Sequence, residues 1–176
     1  MKSMNLFVCV FMALCLAGQM SAQDIRTVNR AKAGNADAQN ELGVYYANNQ
    51  NYKKAIRWWK KAAKQNHVGA QFNLGMSEYN NGFDEVALDW FRKSADGGYA
   101  PAQCRLGEYY ANEKKDYDRS LFWWLKSANQ GYARSQYFLA VHYLRNQKLE
   151  EAYKWCEKSA AQGFSQAVEL LKRLEK

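Results

Sequence analysis

Residues 102–131 read AQCRLGEYYANEKKDYDRSLFWWLKSANQG. From Ala102 through Leu106-Gly107 to Tyr110, small and large apolar residues lie three to five apart, the spacing of one helical face. The spacing resumes from Ser120 through Trp123 to Ala128. Gly131 closes the stretch. Glycine enters the left-handed backbone region at low cost and commonly ends a helix there. The stretch therefore reads as helix, turn, helix, stop.

The same unit extends in both directions. The stop recurs as Gly34, Asn66, Gly98, Gly131 and Gly163, about every 32 residues. Asn shares the left-handed tolerance of Gly, so Asn66 fits the column. Leu42-Gly43, Leu74-Gly75, Leu106-Gly107 and Leu139-Ala140 keep one phase, preceded by Ala38, Ala70, Ala102 and Ser135. Trp58, Trp90, Trp123 and Trp155 keep another, between Ala55, Ala87, Ser120, Ala152 and Ala63, Ala95, Ala128, Ala160. The fold class is thus all-α, a right-handed α/α superhelix of four helix-hairpin repeats with half-repeat caps.

Helix A is predicted over Asp37–Asn48, Gly69–Asn80, Pro101–Asn112 and Arg134–Asn146. Helix B is predicted over Lys53–Lys64, Glu85–Asp96, Asp118–Asn129 and Glu150–Ala161. Pro101 suits a first helical turn, where its missing N–H costs nothing. The repeats span 36–67, 68–99, 100–132 and 133–164, with caps at 24–35 and 165–176. The Trp column and its neighbours Trp59, Phe91 and Trp124 are expected to fill the space between stacked units. Cys156, small where those neighbours are bulky, is expected to be a weak spot in the packing.

Before the repeats, Lys2 and the apolar run Leu6–Ala17 lead to Met20-Ser21-Ala22-Gln23. This reads as a secretory signal peptide over residues 1–22, cut after Ala22, too short to span a bilayer. The mature chain is expected to be periplasmic or secreted, monomeric and without a transmembrane span. It keeps Cys104 and Cys156, expected as free, partly buried thiols rather than a disulfide framework. Net charge is +8. In an exported protein such a balance points to acidic proteins or anionic envelope polymers as partners, and away from nucleic acid.

These columns resemble the Sel-1-like repeat family, relatives of the tetratricopeptide repeats, in an exported bacterial form. The matching motif is Ala38…Leu42-Gly43…Tyr46 with Ala55…Trp58…Ala62-Ala63, and Ala102…Leu106-Gly107…Tyr110 with Trp123…Ser127-Ala128…Gly131. Glu78 and Ala140 depart from it, and the turn from helix A to helix B is shorter than is usual in the family. The resemblance implies an adaptor or scaffold that binds protein or peptide. A cysteine-rich branch of the family is linked to penicillin binding and β-lactamase activity, which gives a hydrolase as the alternative. The cysteine pair per repeat that marks that branch is absent here.

For chemistry the chain offers His67 and His142, which lie in different repeats without nearby acidic residues at ligand spacing. Cys104 has no histidine in register. No catalytic residue, metal ligand or cofactor is expected. In such superhelices helix A usually lines the concave groove. Its candidate partner-binding residues are Asn40, Val44, Phe72, Met76, Tyr79, Cys104, Glu108, Arg134, Tyr137, Val141 and Arg145. Phe72, Met76, Tyr137 and Val141 supply apolar contact, and Arg134 and Arg145 hold acidic groups; the competing reading packs some of these side chains against the next helix A. Asn48, Asn80 and Asn112 either bind a peptide backbone or end each helix A through the left-handed cap. Lys61, Lys93, Lys126 and Lys158 either complement the dipole of helix B or form a basic outer stripe.

Overall fold

A computed structural model describes residues 22–82 and 84–175. The signal sequence over residues 1–22 therefore lies outside the described residues, save the backbone of Ala22. The chain divides into two compact units, Met1–Gln65 and Asn66–Lys176. The described residues form ten α-helices and no strand.

In the N-terminal unit α1 (Ala22–Lys32) precedes one hairpin, α2 (Ala36–Asn48) and α3 (Tyr52–Ala63). The C-terminal unit holds three hairpins and a last helix. They are α4 (Val68–Asn80) with α5 (Asp84–Asp96), α6 (Ala100–Asn112) with α7 (Tyr117–Asn129), α8 (Ala133–Arg145) with α9 (Leu149–Ala160), and α10 (Ser165–Leu174). Helices A are α2, α4, α6 and α8. Each begins one residue before its predicted start, because the preceding residue is extended and serves as N-cap: Asn35, His67, Tyr99 and Tyr132.

Leu42, Leu74, Leu106 and Leu139 are at most 2% exposed, each contributing about 1.5–3 kcal/mol by burial. The helices of a hairpin meet where Gly43, Gly75 and Gly107 lack a side chain. An added Cβ would fall 2.4 Å from Trp59 Cδ1, 2.6 Å from Phe91 Cε1 and 2.3 Å from Trp124 Cδ1. The buried ring is thus the neighbour of the Trp column. Trp58, Trp90, Trp123 and Trp155 themselves are half-buried, and Trp123 packs against the cluster of Phe91 and Leu106 and Trp155 against that of Trp124 and Leu139, each a cluster that joins successive repeats. Each also lies under a lysine: Lys61 4.2 Å from the Trp58 ring centre, Lys93 4.6 Å from Trp90, Lys126 5.1 Å from Trp123, Lys158 4.5 Å from Trp155. These i, i+3 cation–π pairs, worth about 0.5–1 kcal/mol each at exposed sites, give the lysine column a role that neither sequence reading included. In the fourth repeat the weak spot is filled. Ala140 stands where the other repeats have Gly, and it, Cys156 and Ala167 are all 0% exposed.

The stop column has the conformation it demands: φ is +100° at Gly34, +60° at Asn66, +90° at Gly98, +87° at Gly131 and +78° at Gly163. Tyr99 N donates to Ser94 O (3.1 Å) and Gly98 N to Ala95 O (3.0 Å), the paired bonds that close a helix C-terminus. Turns from helix A to helix B use the left-handed region as well, at Gln50, Gly82, Lys115 and Gln147. Asn48, Asn80 and Asn112 end their helices without being that residue, a correction to the cap reading.

Buried polar side chains tie the turns together. Ser94, Ser127 and Ser159 donate to Val68, Ala100 and Ala133 carbonyls at 2.7–2.8 Å. Gln39, Gln103 and Gln136 donate to the carbonyls of Ala31, Ala95 and Ala128, and accept from Gln65, Gln130 and Gln162. The second repeat has Gly97 at the position of the donating Gln, and Gln71 Oε1 is left without a partner.

Candidate functional site

The site is built on helices A of the C-terminal unit. Between α4, α5 and α6 lies a cavity of about 340 Å³ whose lining includes Tyr79, Asp84, Glu85, Phe91, Arg105 and Glu108. Between α6, α7 and α8 lies a second, of about 500 Å³, reached by Trp124, Tyr137, Phe138, Val141, His142 and Arg145. Glu108 and Asn112 line both.

Glu108 is the electrostatic centre. Its side chain is 14% exposed and takes Arg134 Nε at 2.9 Å and Arg134 Nη2 at 3.0 Å, a bidentate pair across two repeats. Arg105 Nη1 adds a bond at 3.3 Å. The Cys104 thiol donates to Glu108 Oε1 at 3.4 Å. Burial first, with the Glu108 charge adding to it, pushes the Cys104 thiol up to about 12, although a Ser135 hydrogen bond opposes the rise. A thiol held protonated is no nucleophile. Cys156 is likewise raised by burial, and both cysteines are fully buried rather than partly so.

The predicted residues divide accordingly. Tyr79, Glu108, Tyr137, Val141 and Arg145 line the cavities. Arg134, predicted to hold acidic groups on a ligand, is engaged by Glu108 in the bidentate pair. Phe72 packs on Phe91 (5.7 Å) and Tyr99 (5.4 Å), with Met76 in the same cluster. Tyr137 touches Phe164, 5.5 Å between centroids. Packing on Phe91 of α5 and on the N-cap Tyr99 of α6 therefore accounts for Phe72, and the N-cap Phe164 of α10 covers one face of Tyr137. Val44, 38% exposed, and Asn40 belong to the N-terminal unit.

Sequence reasoning missed Trp124, Phe138, Tyr117 and Lys115. The signal was present for Phe138, which lies beside Tyr137 and stacks on Trp124 at 5.1 Å. His67 is spent as an N-cap, its Nδ1 accepting from Ala70 N at 3.0 Å. His142 faces the second cavity. Burial, then Lys148 and Arg145, lower its pKa against the pull of Asp118, so it is neutral at neutral pH. Among the described residues no cluster of three potential ligands could hold a metal, and no helix is long and apolar enough to cross a membrane.

Comparison with known proteins gives four matches to the Sel1 repeat, at residues 36–67, 68–99, 100–132 and 133–164. A Sel1 repeat protein from Oxalobacter formigenes is similar at 27% identity and a TM-score of 0.72, over 87% of this chain and 67% of that one. The antigen c5321 of uropathogenic Escherichia coli, with an SLR fold, is 27% identical with a TM-score of 0.74, over 84% of this chain. This chain spans only 35% of that protein. The immunity protein Pa5087 of Pseudomonas aeruginosa, 22% identical with a TM-score of 0.63 over 80% of this chain and 58% of that one, shares the fold. The comparison with curated protein sequences gives no match.

Proposed function

This chain belongs to the Sel1 repeat family, and from that premise we propose that it binds an extended peptide segment of a partner protein on the helix A face of its C-terminal unit. The fold is that of a helical-repeat scaffold for protein–protein interaction. The observation that carries the finer reading is the second cavity, where Tyr137, Val141 and Arg145 are joined by Trp124, Phe138 and His142. Aromatic walls with a cation at the edge suit an apolar side chain beside an acidic one. The mechanism is presentation: helices fixed by buried Leu, Ala and Gly hold the lining residues in place before a ligand arrives, so little ordering cost remains on binding.

A binding rather than catalytic role is supported by the protonated Cys104 and by the engagement of Glu108 with Arg134 and Arg105. Export is proposed from Lys2, the apolar run Leu6–Ala17 and the Met20-Ser21-Ala22 end. Intact-mass measurement of the protein from its host, expected to begin at Gln23, tests that part. The binding surface is tested by a Tyr137→Ala/Val141→Ala variant with an unchanged melting temperature. The reading expects partner affinity to fall at least about tenfold; undiminished affinity in the folded variant rejects it.

A further inference from the structure

The two cavities occupy the same place in successive repeats. Phe91, Glu108 and Asn112 in the first stand where Trp124, Val141 and Arg145 stand in the second. The backbone frame is shared, so the difference lies in the side chains, and that difference is one of charge. Four carboxylates, Asp84, Glu85, Glu108 and Glu113, line the first cavity against Arg105 and Lys114, and Glu108 is shared between Arg105 and Arg134. The second keeps Lys115 and Arg145, with no carboxylate besides Glu108. Tyr109 first, with smaller contributions from Glu85 and Glu113, raises the pKa of Lys114. Neither Lys115 nor Arg145 has an ion-pair partner among the described residues.

We propose that these paired cavities read a peptide of mixed charge, taking a lysine or arginine side chain in the first and an aspartate or glutamate side chain in the second. The proposal rests on the peptide-binding reading above and adds the chemistry and spacing of the ligand. Glu108 and Asn112 of α6 line both cavities, so about one helix diameter, ~10 Å, separates them, and an extended chain advances about 3.3 Å per residue. The two ligand charges therefore stand about three residues apart. Glu108, shared between Arg105 and Arg134, lines both cavities and marks the boundary between them. Opposite charges at the two sites set the direction in which the peptide lies, because a reversed peptide puts like charges together. A uniformly anionic polymer is repelled by the first cavity.

The test is fluorescence anisotropy on the full chain with labelled ten-residue peptides of one apolar framework. The two variable positions, three residues apart, carry Lys and Glu, Lys and Gln, Gln and Glu, or Gln and Gln, with polyglutamate as a further probe. The Lys/Glu peptide is expected to bind at least about tenfold more tightly than Gln/Gln, and each single-charge peptide to fall between. Arg145→Glu, at an exposed position, is expected to abolish the gain from the peptide Glu and leave the gain from Lys. Glu113→Lys is expected to do the reverse. Equal binding of Lys/Glu and Gln/Gln overturns the charge proposal while leaving peptide binding intact. Tighter binding of polyglutamate than of Lys/Glu also overturns it. Absence of binding in every arm overturns both readings.

Discussion

The third and fourth repeats close the same gap between helices with different residues. In the third, Gly107 leaves room for the Trp124 ring, whose Nε1 lies 2.4 Å from where a Cβ would be. In the fourth, Ala140 supplies that Cβ, and the ring position carries Cys156, whose thiol donates to Ala167 O at 3.3 Å. Trp124 and Cys156 are both buried. Ala with Cys is a smaller pair than Gly with Trp, so the fourth repeat does not fill its gap with these two side chains alone, and Tyr137, Phe164 and Leu171 pack around Cys156. The second repeat makes a different exchange. Where other repeats pair Ala100 with Gln130 or Ala133 with Gln162, the second pairs Val68 with Gly97, and Val68 Cγ1 lies 2.3 Å from the Cβ that Gly97 lacks.

The largest effect is expected from forcing one repeat's solution halfway onto the other. Cys156→Trp, with Ala140 unchanged, overpacks the slot and should cost about 3 kcal/mol in urea unfolding. Gly107→Ala, which pushes a buried ring, should cost about 2 kcal/mol. Adding Ala140→Gly to Cys156→Trp should recover about 1–3 kcal/mol; additive costs would show that the two positions do not share a slot.

A smaller effect is expected at the turns. Gly98→Val has open space around its Cβ, yet must hold φ of +90°. It should lose about 1–2 kcal/mol, while Gly98→Asn, copying Asn66, should lose a fraction of that. Smaller again is the repair of the second repeat. Val68→Ala with Gly97→Gln gives Gln71 Oε1 its missing donor and should gain about 1 kcal/mol, whereas Gly97→Gln alone should destabilise against Val68. Least is Ser120→Ala. Its hydroxyl is buried and unpartnered where the other repeats carry Ala55, Ala87 and Ala152, so the change should be neutral or stabilise by up to about 1 kcal/mol. A clear loss there would mean that the hydroxyl is satisfied in solution.

The helices were legible because their signals are local and repeated. The Leu, Ala and Gly columns give phase, and boundaries fell within one residue of it. The second left-handed column was not legible, because Gln50, Lys115 and Gln147 carry side chains that conceal the conformation. Nor could periodicity alone separate Trp123 from Trp124. Adjacent residues on a helix point about 100° apart, and either could face inward until Gly107 is known to lie opposite. The site was legible in part. Tyr137, Val141 and Arg145 follow from counting along helix A. The Arg134–Glu108 pair joins residues in different repeats, and sequence spacing gives no reason to match them.

The repeat columns build the scaffold, and the helix A face of the C-terminal unit is where a peptide is proposed to bind. Amide hydrogen exchange on the full chain, with and without a bound peptide selected for affinity, separates that face from the lysine-bearing helices B. Slowed exchange is predicted in α6 and α8 and in the turn at residues 113–116, with helix B around Lys126 and Lys158 unchanged. Slowing confined to α7 and α9 around those lysines, with α6 and α8 unaltered, would place binding on the outer face and rule out the helix A groove.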